Sequence, residues 1–314
     1  MYDHEDFPPH QRPMRSRARR RRLPDRLQPS RRGRLTENEK ARLARVREDA
    51  EADPVVPGRA DRWSTWDRAE QGPPPRPDWV VTELAAVDTD LGVLKSGKEA
   101  DVHLLRRGVP GGRQMLVAAK RYRSSDRRDF HRDAAYLEGR RMRRSREMRA
   151  IAKRTSFGRN VIAEQWAVAE FSALCTLWSI GAPVPYPVQR DGTELLMEFV
   201  GDQDGTAAPR LAQLRPDREQ LHQLWLQLVA LLDLMAGAGL THGDLSAYNL
   251  LVHDGQLVLI DLPQIVDVVI NPNGERFLER DVRNVAAWFH RRGLPESVTD
   301  VDSLVADLLD VARG

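Results

Sequence analysis

The tightest constraint in this chain is the run from His242 to Asp261. It reads H-G-D-L-S-A-Y-N, then L-L-V, then H-D-G-Q, then L-V-L-I-D. Asp-Gly between two short apolar runs is a strong hairpin signal, so strands are expected over 250–252 and 257–261 with Asp254-Gly255 at the turn. A lone Asp beside a strand often only caps a turn. Here Asp244, an asparagine five residues later (Asn249) and a second carboxylate past the hairpin (Asp261) occur in order. That is a layout used for phosphoryl transfer. In it the first Asp orients or deprotonates the acceptor, while the Asn and the second Asp hold Mg²⁺ on the phosphates of ATP. Oxygen ligands suit this hard cation, and two from the protein suffice because phosphates and water complete its shell.

Upstream, a strand, a turn and a strand are expected within 87–105, centred on Leu94-Lys95-Ser96-Gly97-Lys98-Glu99-Ala100. Small residues let backbone N–H groups approach phosphate oxygens, and Ser96-Gly97 offers that, although the pattern is not G-x-G-x-x-G. Taken alone it reads more readily as a surface turn. Gly111-Gly112 marks the next hairpin. The strand over 115–122 then ends in Ala118-Ala119-Lys120-Arg121-Tyr122, a lysine position that pairs nucleotide phosphates and a helix glutamate in kinases. The helix expected over 161–180 carries Ala167, Phe171, Leu174 and Trp178 at 3–4 spacing. Glu170 lies against that stripe, where a charge needs a partner, and Lys120 is the natural one. The segment 194–201 reads as a strand leading into a hinge. Its backbone at Met197, Glu198 and Val200 is placed to pair with adenine. A core helix carrying Leu221, Leu224, Trp225, Leu228, Leu232 and Met235 leads to the central motif. Two helices, near 276–290 and 300–312, are expected after it, the second with a capping box of Thr299 and Asp302. No A-P-E segment follows Asp261, which predicts a C-lobe without the usual peptide-docking platform.

Charge is distributed unevenly. The formal net charge is +3, but residues 12–34 are crowded with arginine against one acid, Asp25. Like charges of this density repel one another in a compact state and attract nucleic-acid phosphate through counterion release. Residues 1–77 are therefore expected to be a basic, largely disordered arm ending in the proline-rich linker Gly72-Pro73-Pro74-Pro75-Arg76-Pro77. A short helix over 36–52 and docking of Trp63 and Trp66 are the local exceptions. The folded domain is expected over 78–314. Residues 123–159 form a second basic segment, expected to be a solvated insert. One cysteine, Cys175, excludes an internal disulfide and a cysteine-based zinc site, and its apolar surroundings make it a buried thiol rather than a nucleophile. There is no apolar run of membrane length and no secretory signal pattern. A soluble protein of a reducing compartment, the cytoplasm, is the expectation.

Together these residues resemble the RIO family of atypical serine/threonine protein kinases, in the branch without a winged-helix domain. The resemblance rests on S-G-K-E-A-D-V at 96–102, A-A-K-R-Y at 118–122, W-A-V-A-E-F at 166–171, M-E-F-V-G at 197–201, H-G-D-L-S-A-Y-N at 242–249 and I-D-L-P-Q at 260–264. It covers roughly 85–292. His103, Asp101 and Leu262-Pro263 depart from the family's usual residues. The resemblance implies an α+β, two-lobed kinase-like fold with a small β-rich N-lobe (about 78–200) and a reduced helical C-lobe (about 201–314). It implies that Ser96, Gly97 and Lys98 cover the phosphates and that Lys120 binds them while paired to Glu170. Asp244 is then the catalytic Asp, with Asn249 and Asp261 on Mg²⁺. It also implies ATP and Mg²⁺ as cofactors, Ser/Thr or Asp261 itself as phosphoryl acceptor, an ATPase-type switch, and RNA or a ribosomal-subunit precursor as partner of the two basic segments. Two other classes share features: small-molecule phosphotransferases of the aminoglycoside or choline kinase type, and a nonenzymatic RNA-binding scaffold on a kinase fold.

Overall fold

In Gln-Met-Leu-Val-Ala-Ala-Lys-Arg-Tyr, at 114–122, successive side chains fall on opposite faces of an extended strand. Met115, Val117 and Ala119 enter one core, while Ala118 enters another on the far side. This two-sided burial organises the N-lobe. A computed structural model describes residues 60–123 and 156–314. The block at 12–34, the helix expected over 36–52 and most of the insert at 123–159 lie outside the described residues.

Seven strands form one antiparallel sheet: β1 (Arg62–Trp63), β2 (Glu70–Gln71), β3 (Val87–Ser96), β4 (Ala100–Gly108), β5 (Gln114–Tyr122), β6 (Pro187–Asp191) and β7 (Glu194–Glu198). Their order is β1-β3-β4-β5-β7-β6-β2. The two outermost strands are near neighbours in sequence. Flat, the sheet would hold its edges about 29 Å apart, six spacings of about 4.8 Å. The chain from Trp63 to Glu70 reaches at most about 25 Å. The sheet therefore curls, and residues 64–69 strap its edges together. Trp66 fills the enclosed core with Val81, Leu105, Val117, Tyr186 and Leu196.

This corrects the boundary expected near residue 78. Residues 60–77 are part of the lobe. Arg62 donates to Asp88 (3.2 Å) and Glu194 (2.5 Å), and Gln189 donates to the Thr65 hydroxyl at 2.6 Å. Even the proline run is docked, since the Gly72 N–H donates to Val188 at 3.1 Å and the Pro73 carbonyl accepts from the Tyr186 hydroxyl at 3.0 Å. Two-residue strands show no periodicity, and prolines need no donor partner, so neither leaves a pattern to read.

Helix α1 (Ser156–Ser179) packs Phe171, Leu174 and Leu177 under the other face of the sheet. It starts five residues earlier than expected. Cys175 is a free, part-buried thiol, and burial pushes its pKa up to about 12. The C-lobe is built on α2 (Arg218–Gly237), whose cap Asp217 accepts from the Gln220 N–H in a reciprocal capping box. After it come β8 (Leu240–Thr241), β9 (Leu250–His253), β10 (Gln256–Leu259), β11 (Val266–Asp267), α3 (Gly274–Arg291), the single turn α4 (Glu296–Thr299) and α5 (Val301–Arg313). Leu224, Trp225 and Leu228 of α2 meet Val282, Val285 and Phe289 of α3 and Leu308 of α5 in one core. The cap of α5 is Asp300, which accepts from the Ser303 N–H at 3.2 Å. Thr299, the expected cap, is buried, and its hydroxyl pairs with His290 instead. The β9–β10 hairpin turns at Asp254 and Gly255, both with positive φ (49° and 75°), the backbone that Asp-Gly selects.

Candidate active site

The hairpin register explains why the motif has its spacing. Leu250 pairs with Leu259 at the open end. One step further, the Ile260 N–H donates to the Asn249 carbonyl at 2.9 Å. Asn249 and Asp261 therefore emerge from one end of a rigid ribbon. Asp261 has φ 68°, a left-handed conformation uncommon outside glycine.

Asp244 sits five residues before Asn249 on a loop held by groups that look away from the cleft. The His242 ring is buried. Its Nδ1 accepts from the Asp244 N–H (3.3 Å) and its Nε2 lies 3.2 Å from the Ile260 carbonyl, an arrangement that fits the Nε2–H tautomer. Gly243 has φ 82°, and a Cβ there would stand 2.3 Å from the Gln264 carbonyl oxygen. No other residue fits without moving that turn. Beneath the loop lies Asp281 of α3, fully buried. Its carboxylate accepts from the Gly243 N–H (2.6 Å), the Leu245 N–H (2.9 Å) and the Thr241 hydroxyl (2.9 Å). Arg280, its neighbour, donates to the Gly243 carbonyl. Asp281 was not among the expected site residues. The signal was present: it stands on the same stripe as Leu278, Val282 and Val285, a carboxylate where the helix is otherwise apolar.

Lys120 joins the lobes chemically. Its Nζ is 2.7 Å from Glu170 Oε1 and 2.7 Å from Asp261 Oδ1. Glu170, on α1, is buried. It also accepts from the Tyr122 hydroxyl and, at 3.2 Å, from the Leu262 N–H. Burial alone would lower the lysine pKa, but the charges of Glu170 and Asp261 outweigh it and raise the value. For Asp261, desolvation would raise the pKa, and Lys120 reverses this to a net lowering. Burial, reinforced by Glu170, pushes the Tyr122 phenol well above its ordinary value, so it stays a donor.

The remaining expected residues are placed as follows. Ser96 ends β3, and its hydroxyl is engaged by Asp101 (2.5 Å) and Arg123 (2.8 Å). The Gly97 N–H closes the turn onto the Ala100 carbonyl at 2.9 Å, and Lys98 is exposed on that turn. At the hinge, Met197 is buried. The Glu198 N–H is spent on Tyr186 (2.8 Å), and the Val200 carbonyl accepts from Ala208 (3.0 Å). The Glu198 carboxylate turns back to accept from the Tyr186 N–H at 3.0 Å.

The donor set suits Mg²⁺. Asn249 and Asp261 offer amide and carboxylate oxygens from adjacent positions, and the Asp261 side chain is 47% exposed, open to the cleft. Among the described residues no cluster of three His, Cys, Asp or Glu marks a different metal site.

Residues 112–304 match the family model described as the RIO domain. The RIO-type serine/threonine-protein kinase Rio1 of Haloferax volcanii is 36% identical over 219 residues, 69% of this chain and 68% of that protein. The serine/threonine-protein kinase RIO1 of Chaetomium thermophilum is 32% identical over 212 residues, 65% of this chain and 40% of that protein. Among solved structures, the Rio2 kinase from Chaetomium thermophilum aligns over 71% of this chain and 72% of its own, with a TM-score of 0.47 and 22% identity. With a model match across most of the folded domain and a relative at this identity and coverage, the chain belongs to the RIO family.

Proposed function

We infer that this chain is an ATP- and Mg²⁺-dependent phosphotransferase, a serine/threonine kinase of the RIO type. The observation that carries the reading is Lys120 Nζ at 2.7 Å from both Glu170 and Asp261, beside the loop that presents Asp244. Family membership and the kinase names of the relatives support it.

Each residue's part follows from its surroundings. Glu170 fixes the Lys120 ammonium, so the cation lies ready for phosphate oxygens without further ordering. Asn249 and Asp261 would hold Mg²⁺, which supplies charge neutralisation on the transferring phosphoryl group. Lys120 then exchanges Asp261 for phosphate while keeping Glu170. Asp244 is exposed and free to orient an acceptor hydroxyl and receive its proton. Asp281 and His242 keep that carboxylate in place. Turnover of ATP as a switch, with Asp261 as acceptor, belongs to the same proposal.

RNA, or a ribosomal-subunit precursor, is proposed as the partner of the arginine-rich sequence at 12–34 and 123–159. The support is charge alone, so the affinity should fall linearly in log–log form with salt.

The test is incubation with γ-labelled ATP and Mg²⁺, following label on protein and free phosphate in wild type, Asp244→Ala and Asp261→Ala. Loss of both signals in either variant is expected, and hydroxylamine-labile label would assign an acyl phosphate. Turnover only on adding an aminoglycoside or amino alcohol would overturn the reading in favour of a small-molecule kinase. No ATP binding at all would leave an RNA-binding scaffold.

A further inference from the structure

The sheet register puts a second lysine on the cleft face. Lys95 stands opposite Val102, and Val102 stands opposite Lys120. Directly opposed residues share a face, so Lys95 and Lys120 project to the same side from backbones about 10 Å apart, two strand spacings. Lys120 is committed to Glu170 and Asp261. Lys95 is exposed, and among the described residues no hydrogen bond or ion pair engages its ammonium.

In the other lobe, Arg210 lies beside the end of the hairpin that carries Asn249 and Asp261. This residue bridges to Leu251 of β9, and its guanidinium donates to the Tyr248 carbonyl at 2.6 Å, one residue before Asn249. A guanidinium has five N–H donors, so this anchor leaves most of the fork for a ligand. The two cations sense each other. Desolvation lowers the Lys95 pKa, the Arg210 charge lowers it further, Asp261 opposes, and Lys120 adds to the lowering. Lys95, Lys120 and Arg210 thus border a space in which Asp261 is already drawn to Lys120. Such a space is built for an anion.

We propose that Lys95 and Arg210 form a second phosphate clamp, one arm from each lobe, that holds the polyphosphate of the nucleotide alongside Lys120. The proposal rests on the kinase reading above. The anion is assigned to the nucleotide because of where the arms are rooted. Lys95 immediately precedes the Ser96-Gly97 turn, and Arg210 is tied to the carbonyl beside a metal-holding residue. What lies between those two points in an ATP site is phosphate. The clamp makes affinity depend on the number of phosphates rather than on the base.

The test is calorimetric titration of the full chain with ATP, ADP and adenosine in Mg²⁺. Lys95→Gln and Arg210→Gln should each weaken ATP about tenfold, the scale of one charge-assisted contact, weaken ADP less, and leave adenosine within about twofold. Lys95→Arg and Arg210→Lys, which keep the charge, should recover most of the ATP affinity. Equal losses for ATP and adenosine would show a merely structural role and overturn the clamp, as would unchanged ATP affinity in both Gln variants. A wild-type chain without ATP affinity would instead overturn the kinase reading, and the clamp with it.

Discussion

At the scale of single residues, Lys120 and Asp281 do different work and fail differently. Lys120→Met removes the ammonium that bonds both Glu170 and Asp261, so phosphoryl transfer should fall about a hundredfold or more. Stability should fall as well, because the buried Glu170 carboxylate keeps only the Tyr122 hydroxyl and the Leu262 N–H. Activity assays paired with thermal melts separate the two effects. Asp281→Asn instead strips a charged acceptor from buried N–H groups. It should cost about 2 kcal/mol of stability and also lower kcat through a misplaced Asp244, read by chemical denaturation alongside kinetics. Glu198 gives a pH-dependent expectation. Burial raises its pKa above the ordinary 4.5, outweighing the Tyr186 N–H and His253. The fold therefore binds this proton more tightly than the unfolded chain, so stability falls as pH rises from 4.5 through the folded value. Glu198→Gln removes that slope. In melts from pH 4 to 8, the variant should gain on wild type as pH rises.

At the scale of elements, the strap over residues 62–71 is a discrete, removable part. A chain beginning at residue 60, which keeps the whole strap, is the reference. One beginning at residue 72 loses Trp66 from an enclosed core and leaves Asp88 without Arg62 and Gln189 without Thr65. Loss of a buried tryptophan side chain alone costs about 3–5 kcal/mol, so calorimetry should show a large drop in Tm. This element also carries the weakest sequence signal. The hairpin, Lys120 and Glu170 were legible because chemistry fixes both the residue types and their spacing. Asp254-Gly255 announced its turn, and the apolar stripe of α1 announced its partnered glutamate. The strap offered only two-residue strands in a polar run, and its ladder partners lie up to about 120 residues away (Glu70 with Arg190). Asp281 is legible in principle as the acid on the apolar stripe of α3, but no motif marks it. Lys95 became visible only once the register aligned it with Lys120, which no linear spacing reveals.

At the scale of the whole folded unit, the lobes are bonded to each other through the nucleotide site itself. Glu170 holds the Leu262 N–H and Lys120 holds Asp261. Mg·ATP must replace the second of these contacts while adding its own. Binding only to the folded state stabilises it by about 2.7 kcal/mol at a hundredfold excess over Kd. Mg·ATP should therefore raise Tm by several degrees, and EDTA should remove most of that gain. A shift of the same size with ATP and EDTA together would argue against Asn249 and Asp261 as the metal's holders.

The three bonds that Asp281 receives carry a lesson for anyone dividing this chain. Every group expected to touch nucleotide or metal has been translated by residue 261, yet the loop bearing Asp244 has no floor until residue 281 arrives. A ribosome-bound or recombinant fragment ending between those points would display the full motif in its sequence and still be inert. The smallest working piece is set by a helix that never meets the substrate.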